Sequence, residues 1–434
     1  MRIVQLTPGT GNFHCGSCLR DNVLVSALRR MGHDVMMVPL YLPHVVDTEA
    51  PADDTPIFFG GISVYLEQKL ALFRHTPRWF DRLLARPTLL NWAANRSGMT
   101  SARDLGELTV SMLKGEHGKQ NKELTHLINW LKTQGPVDVV CLSNAMLLGM
   151  ARRLGRELNT KVVCTLAGED AFLDTLIEPY QSQAWALLRE RIDDAAALIA
   201  VSRYYADQMR QRLKLADDDP RLRVVYNGIE LDGYAPAEAP PADPTIGYLA
   251  RLHPGKGMHT LVEAFIEMKR RGRISNLKLR LAGAKKPEDD AFVNEQREAL
   301  TTAGVIEHAS IEPNLTESQK LDFYRSISTF SVPATYGEAF GLYVLEALAA
   351  GVPVVQPRHG AFTELLEQLG GGILCEADSP TALADALEIT LLRHDESRQS
   401  AATARQHVLK EFNVDRMAAG VAAVFEQVTV EAAR

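Results

Sequence analysis

Two carboxylates separated by seven residues, Glu338 and Glu346, stand in the stretch Thr329 to Pro357, TFSVPATYGEAFGLYVLEALAAGVPVVQP. Between Ala339 and Pro357 the one charged side chain is Glu346. A carboxylate in such an apolar run is costly unless something hydrogen-bonds it. Ionised carboxyls only accept hydrogen bonds, which suits hydroxyl-rich ligands. A second pair of groups lies upstream in GYLARLHPGKG, where Arg251 and Lys256 place two cations at the N-terminal end of a helix expected from Met258 to about Arg271. The helix dipole disfavours positive charge there unless an anion accompanies it, and a diphosphate is a natural guest.

The elements that must position these groups follow from apolar patterning and its punctuation. Thr329 to Ala334 reads as a short strand, the glycines at 337 and 341 as a turn, Leu342 onward as an apolar helix, and Val352 onward as the next strand, with Gly351 and Pro353 marking the helix stop. That is half of a parallel α/β unit, with carboxylates bracketing a helix N-terminus whose open N–H groups can bind ligand oxygens. Thr245 to Leu252, Leu277 to Leu281 and Val305 to Ile311 read as further strands of the same half. In the first half, Arg2 to Pro8, Asp34 to Leu40, Val137 to Leu142, Lys161 to Leu166 and Ala196 to Val201 are apolar strands alternating with helices, among them Cys18 to Met31 and Ala145 to Leu158. The Pro- and Ala-rich run 235–244, APAEAPPADP, can hold neither helix nor sheet and reads as a linker. The domains expected are therefore 1–234 and 245–412, each doubly wound and Rossmann-like, with 413–434 a terminal helical segment.

The E-x7-E pattern from Glu338 to Glu346, with EAFGL and EALAAGVPVV around it, resembles the signature of family-4 retaining glycosyltransferases of GT-B architecture. The resemblance implies two Rossmann-like domains facing across a cleft, with the terminal helix returning to the first. It also implies a nucleotide-sugar donor. Glu338 would contact the donor sugar, the loop backbone of Ala339, Phe340, Gly341 and Leu342 would contact sugar and phosphate, and Glu346 would bind the ribose hydroxyls. Arg251 and Lys256 match the family's cation pair on the diphosphate. The run NGIELD, Asn227 to Asp232, is also similar to the family's. In the first half Gly16 is the candidate diphosphate contact, although the family's Gly-Gly pair becomes Cys15-Gly16 here. The family often has His-Gly-x-Asp where this chain has Ala167-Gly-Glu-Asp170; the His is replaced, and Asp170 becomes the first half's candidate catalytic group. From the residues alone, Glu169 and Asp170 stand at a strand's carboxyl end, where they cap the next helix or line the ligand edge.

Other readings are narrowed by the residues. A dinucleotide fingerprint fails because the third glycine counted from Gly9-x-Gly11 falls on His14, and a Walker A loop fails because Gly257 follows Lys256 where Ser or Thr is required. Charge is mildly acidic, 47 basic against 54 acidic residues for a net of −7, which gives no basic excess for nucleic acid. No apolar run approaches the ~20 residues of a membrane span. The opening MRIVQLTPGTG carries no secretory pattern, so the expected location is cytoplasmic. Residues 67–96 carry Arg74, Arg78, Arg82 and Arg86 at four-residue spacing among Phe73, Trp79, Phe80 and Trp92, which is either a solvated helix face or a peripheral contact with an anionic membrane surface or lipid-linked acceptor. Cys15 and Cys18 are two loop-lining cysteines, a redox pair or half a metal site; five scattered cysteines give no disulfide framework.

The expectation is a metal-independent retaining glycosyltransferase without a cofactor, acting on a glycan, glycolipid or small-molecule acceptor, as in polysaccharide biosynthesis. A nucleotide-sugar epimerase of the same architecture and a non-catalytic nucleotide-sugar-binding subunit are the alternatives.

Overall fold

The computed structural model describes residues 1–9, 16–41, 58–59, 68 and 101–430, and for 16–18 the backbone alone. The basic 67–96 stretch (Gln68 excepted), His14 and Cys15 lie outside the described residues, and nothing is described of the Cys18 side chain.

The described residues form two compact units, one comprising Met1–Val201, Tyr205–Val225 and Ala418–Arg434, the other Ser202–Tyr204 and Tyr226–Met417. In the first, β1 (Arg2–Thr7), α1 (Gly16–Arg30), β2 (Asp34–Pro39), α2 (Ala102–Leu113), α3 (Asn121–Thr133), β3 (Val139–Leu142), α4 (Ala151–Leu158), β4 (Lys161–Leu166), α5 (Asp170–Leu173), α6 (Tyr180–Arg191), β5 (Ala197–Ala200), α7 (Arg203–Leu213, from Tyr205 on) and β6 (Leu222–Val224) follow in order. Their strands pair in parallel in the order β2-β1-β3-β4-β5-β6. Ile3, Val4, Leu6, Val139, Val140 and Leu142 are fully buried, as expected of parallel strands covered on both faces.

The second unit runs β7 (Thr245–Leu249), α8 (Met258–Arg271), β8 (Lys278–Gly283), α9 (Asp290–Thr302), β9 (Ala309–Pro313), α10 (Glu317–Arg325), β10 (Thr329–Phe330), α11 (Leu342–Ala349), β11 (Val354–Pro357), α12 (Ala361–Leu369), β12 (Gly372–Cys375), α13 (Pro380–Leu392) and α14 (His394–Glu411). Its sheet is also parallel, in the order β12-β11-β10-β7-β8-β9. A last helix, α15 (Val414–Val430), begins in the second unit and from Ala418 on belongs with the first. The doubly wound α/β expectation is met in both units. Residues 235–244 contain neither helix nor strand.

Several elements differ from the sequence reading, among them the strand expected over Val305 to Ile311, which forms over Ala309–Pro313 after a 3₁₀ turn at Ile306–His308. The strand expected through Ala334 pairs only over Thr329–Phe330, because Pro333 has no N–H to donate and Ala334 N–H turns back to Val332 O at 2.8 Å. The following strand opens at Val354 rather than Val352, whose N–H instead closes α11 on Ala347 O at 2.9 Å. Residues 145–150 form a 3₁₀ segment before α4, its start fixed by Asn144 Oδ1 accepting from Met146 N–H at 3.0 Å.

Both sheet orders contain a reversal, between β1 and β3 in one and between β7 and β10 in the other. The connections on either side of such a point run to opposite faces, and in open α/β sheets ligands bind outside the carboxyl ends of the strands there.

Candidate active site

The reversal in the second sheet determines which residues meet. β7 and β10 are hydrogen-bonded neighbours, with Thr329 opposite Ile246 and Phe330 opposite Gly247. The chain leaving β7 carries Arg251 to Lys256, and the chain leaving β10 carries Tyr336 to Gly341. The two loops are tied by Thr335 N–H donating to Gly255 O at 3.1 Å. They also pack tightly at Gly257, whose φ is 72° and where a Cβ would lie 1.7 Å from Pro333 O.

This closure brings Lys256 Nζ onto Glu338 Oε2 as an ion pair. Tyr343 Oη donates to the same carboxylate oxygen at 2.8 Å. Among the described residues Glu338 Oε1 takes no hydrogen bond, so one face of the carboxylate keeps its lone pairs. The ammonium also sits 5.0 Å from the centre of the Tyr336 ring and 5.5 Å from that of Tyr343. Burial pulls the Lys256 pKa down, but Glu338 and Tyr336 together outweigh it, so the ammonium is held well above its usual range and stays charged.

Arg251 is placed differently from the expectation. Its guanidinium grips Asp289, Nη2 to Oδ1 at 3.0 Å and Nε to Oδ2 at 3.2 Å, and Nη2 reaches Glu288 at 2.7 Å. Thus the protein's own carboxylates supply the anion called for by two cations at a helix N-terminus. Partly buried cations need counter-charges whether or not a ligand is bound.

The carboxylate stranded in an apolar helix is satisfied in the same manner. Glu346 Oε1 takes Lys320 Nζ at 3.3 Å and its Oε2 takes Tyr324 Oη at 2.9 Å, both from α10. Lys320 also pairs with Glu317 at 3.0 Å. Burial lowers the Lys320 pKa, but Glu346, Tyr234 and Glu317 together outweigh it, and the result lies well above the usual lysine value.

Between the two carboxylates runs the loop to α11. Ala339 and Phe340 are buried, and the Phe340 ring packs against Tyr226 and Phe412, so this pair can offer a ligand only backbone. Gly341, at φ 90°, caps α11 in the left-handed region without a side-chain hydrogen bond. Val344 N–H returns to Gly341 O at 3.0 Å, whereas the preceding amides of Leu342 and Tyr343 stand in the first turn, where a helix has no carbonyl to offer them.

His253 supports the cation loop from within. Its Nδ1 accepts from Gly255 N–H at 3.1 Å, so that nitrogen must be unprotonated. Burial first, then the charges of Arg251 and Lys256, push the imidazole below its usual 6.5, against the weaker pull of Asp289 and Glu338. As pH falls through 6.5 the unfolded chain takes up a proton that the folded chain refuses, so stability is lost on acidification. His253→Asn, which keeps an acceptor but does not titrate, is expected to flatten the fall of Tm between pH 6.5 and about 5, measured by scanning calorimetry.

In the first unit Gly16 opens α1. Glu169 and Asp170 are 6% and 7% exposed. Glu169 does not cap α5 with its side chain; it accepts from Ala145 N–H at 2.8 Å, Ala167 N–H at 2.9 Å and Tyr205 Oη at 2.8 Å. Two strand-end loops and a phenol offer this buried carboxylate more donors than one helix terminus would. Asp170 Oδ1 lies 2.9 Å from the same Tyr205 hydroxyl, whose single proton the two carboxyls share, and Oδ2 takes the Gln208 amide. Burial pushes both carboxyls up. The structure therefore brings Lys256 and Glu338 into contact, holds Arg251 on Asp289 nearby in the same loop system, sets Glu346 one turn into α11, and keeps Asp170 within the other unit's own network. Burial also pushes the Cys141 thiol up to about 12, as expected of an inert core cysteine.

Tyr343, Tyr324, Lys320 and Asp289 were not singled out from the sequence. Lys320 and Tyr324 do carry a signal, since residues four apart share a helix face and a buried carboxylate was known to need partners. Tyr343 and Asp289 carry none.

Comparison with known proteins bears on this geometry. The family model "Glycosyl transferases group 1" matches residues 235–407, and "Glycosyltransferase Family 4" matches 112–232. Similar curated proteins include the D-inositol 3-phosphate glycosyltransferase of Corynebacterium glutamicum (strain R), 28% identical over 50% of this chain and 54% of that one. The phosphatidyl-myo-inositol mannosyltransferase of Mycobacterium leprae (strain TN) is 27% identical over 48% and 54%. The chain thus spans about half the length of the curated relatives it matches. Among solved structures, sucrose-phosphate synthase from Thermosynechococcus elongatus superposes with TM-score 0.72 at 16% identity, covering 99% of both chains. Anabaena HepE in complex with UDP and glucose gives 0.67 at 15%, covering 98% of this chain and 100% of that one. With two parallel α/β units, family models over both halves and these structural neighbours, the chain belongs to the group 1 and family 4 glycosyltransferases of GT-B architecture.

Proposed function

We propose that the chain transfers a glycosyl group from a nucleotide-diphosphate sugar to an acceptor hydroxyl, with retention at the anomeric carbon. The observation that carries this reading is the Lys256–Glu338 pair, delivered by the two strands that flank the sheet reversal. An ammonium beside a carboxylate with open lone pairs suits a ligand that is anionic at one end and hydroxylated at the other. HepE, solved with UDP and glucose, supports a nucleotide-sugar donor.

In this reading the bond from the anomeric carbon to the diphosphate oxygen breaks and the departing group gains negative charge. Lys256, the first amides of α11 and, on exchanging a carboxylate for phosphate, Arg251 stabilise that charge more in the transition state than in the ground state. Glu338 holds a sugar hydroxyl as positive charge grows at the ring, and Glu346 holds the ribose. The acceptor oxygen attacks the same face within the ion pair, and its proton passes to the departing phosphate oxygen. These fixed cations and amides do the work for which a divalent ion would otherwise serve, so the reaction is metal-independent. The inositol phosphates in the relatives' names make a phosphorylated polyol the first acceptor to try.

The test is a panel of UDP-, GDP- and ADP-hexoses with and without polyol phosphate acceptors, followed by NMR of the anomeric centre. The expected result is acceptor-dependent product with the donor's anomeric configuration, at the same rate in excess EDTA. An altered sugar without acceptor would make the chain an epimerase, binding without turnover would make it a binding subunit, and loss of rate in EDTA would overturn metal independence.

A further inference from the structure

The two carboxylates of the site are held by matching sets of groups. Glu338 takes a phenol, Tyr343 Oη at 2.8 Å, and an ammonium, Lys256. Glu346 takes a phenol, Tyr324 Oη at 2.9 Å, and an ammonium, Lys320 at 3.3 Å. The phenols belong to one aromatic row: the Phe330 ring lies 6.1 Å from Tyr343 and 5.6 Å from Tyr324, and Tyr324 continues to Tyr234 at 6.0 Å. Phe330 is fully buried and ends β10, the strand at the sheet reversal. Both hydroxyls are thus fixed to the same rigid base.

A carboxylate side chain can turn about its own bonds, and an ammonium, a point charge with three rotatable donors, does little to stop it. A phenol hydroxyl anchored in a packed ring fixes how the carboxylate plane is turned, and with it the direction of the lone pairs left for a ligand. We propose that Tyr343 and Tyr324 are separate positioning residues, Tyr343 orienting Glu338 for the sugar being transferred and Tyr324 orienting Glu346 for the nucleotide. This rests on the transferase reading above. It goes beyond that reading in dividing the labour: loss of the first hydroxyl acts on the chemical step, and loss of the second acts on nucleotide binding.

Phenylalanine removes each hydroxyl and keeps the ring in the row. Hydrogen bonds to charged groups are strong enough that losing one from a positioned carboxylate is expected to cost about tenfold. For Tyr343→Phe that factor falls on kcat, with the dissociation constant of the tightest of UDP, GDP and ADP, measured by calorimetry, within about twofold of wild type. For Tyr324→Phe the same dissociation constant rises about tenfold and kcat at saturating nucleotide sugar changes little. Lys320→Met gives a second variant on the nucleotide side and is expected to move the same parameter as Tyr324→Phe. A purely structural role would lower Tm and move both parameters together in both variants. If the wild-type chain transfers sugar but Tyr343→Phe keeps its kcat, or both phenylalanine variants shift the same parameter, the division of labour is overturned while the transferase reading stands. A wild-type chain that neither binds any of the three nucleotides nor transfers sugar overturns both.

Discussion

Lys256→Ala is expected to lower kcat by about 10²- to 10³-fold, the cost of removing one preorganised stabiliser of developing negative charge. The ammonium is well suited to that task because Glu338 holds it charged and two tyrosine rings hold it in place. Alanine takes away the only described cation on Glu338 and leaves the carboxylate with Tyr343 alone. Some loss of Tm should accompany the loss of rate, since 17% and 14% exposure makes the ion pair largely buried. Lys256→Arg separates the two effects: it restores charge but not shape, so Tm should recover further than kcat. Near wild-type turnover in Lys256→Ala would remove this lysine from the chemistry.

Gly257→Ala should have the largest effect on the fold of the site. Its φ of 72° lies in the left-handed region, and a methyl group would stand 1.7 Å from Pro333 O. Backbone cannot move aside as a flexible side chain can, so the loop after β7 must separate from the segment after β10. The expectation is a fall in Tm of about 10 °C, with a large loss of activity because Lys256 immediately precedes the displaced residue. Scanning calorimetry and single-point turnover measure both. A variant with wild-type Tm would show that the two loops are not locked at this point.

The alternation of strands and helices was legible because apolar runs are bounded by Gly and Pro, and Met258–Arg271 and Lys161–Leu166 emerge with the bounds read from the sequence. The order of the strands was not, because parallel pairing joins residues far apart in the chain, such as Phe330 with Gly247. Local errors came from backbone groups whose partners are non-local or missing: Pro333 ends β10 early, and Val352 closes a helix instead of opening a strand.

In the site, charge in an apolar setting was the readable signal. It singled out Glu346 and required a partner for it, without identifying Lys320 and Tyr324 twenty-six and twenty-two residues upstream. It also required an anion beside Arg251, and the structure supplies Asp289, thirty-eight residues on. Tyr343 was invisible because a tyrosine among Leu, Val and Ala reads as ordinary core until its hydroxyl is seen on Glu338. Residues 67–96, whose basic aromatic pattern suggested a membrane contact, lie outside the described residues except for Gln68. Among those described, no helix is long and apolar enough to cross a membrane.

The account turns on what binds at the loops that follow β7 and β10, and a crystal structure of the chain with an unreacted nucleotide sugar addresses it most directly. The account predicts a phosphate oxygen about 3 Å from Lys256 Nζ and a sugar hydroxyl on Glu338 Oε1. A nucleotide sugar bound elsewhere, with Lys256 and Glu338 still engaged only with each other and with Tyr343, would contradict it.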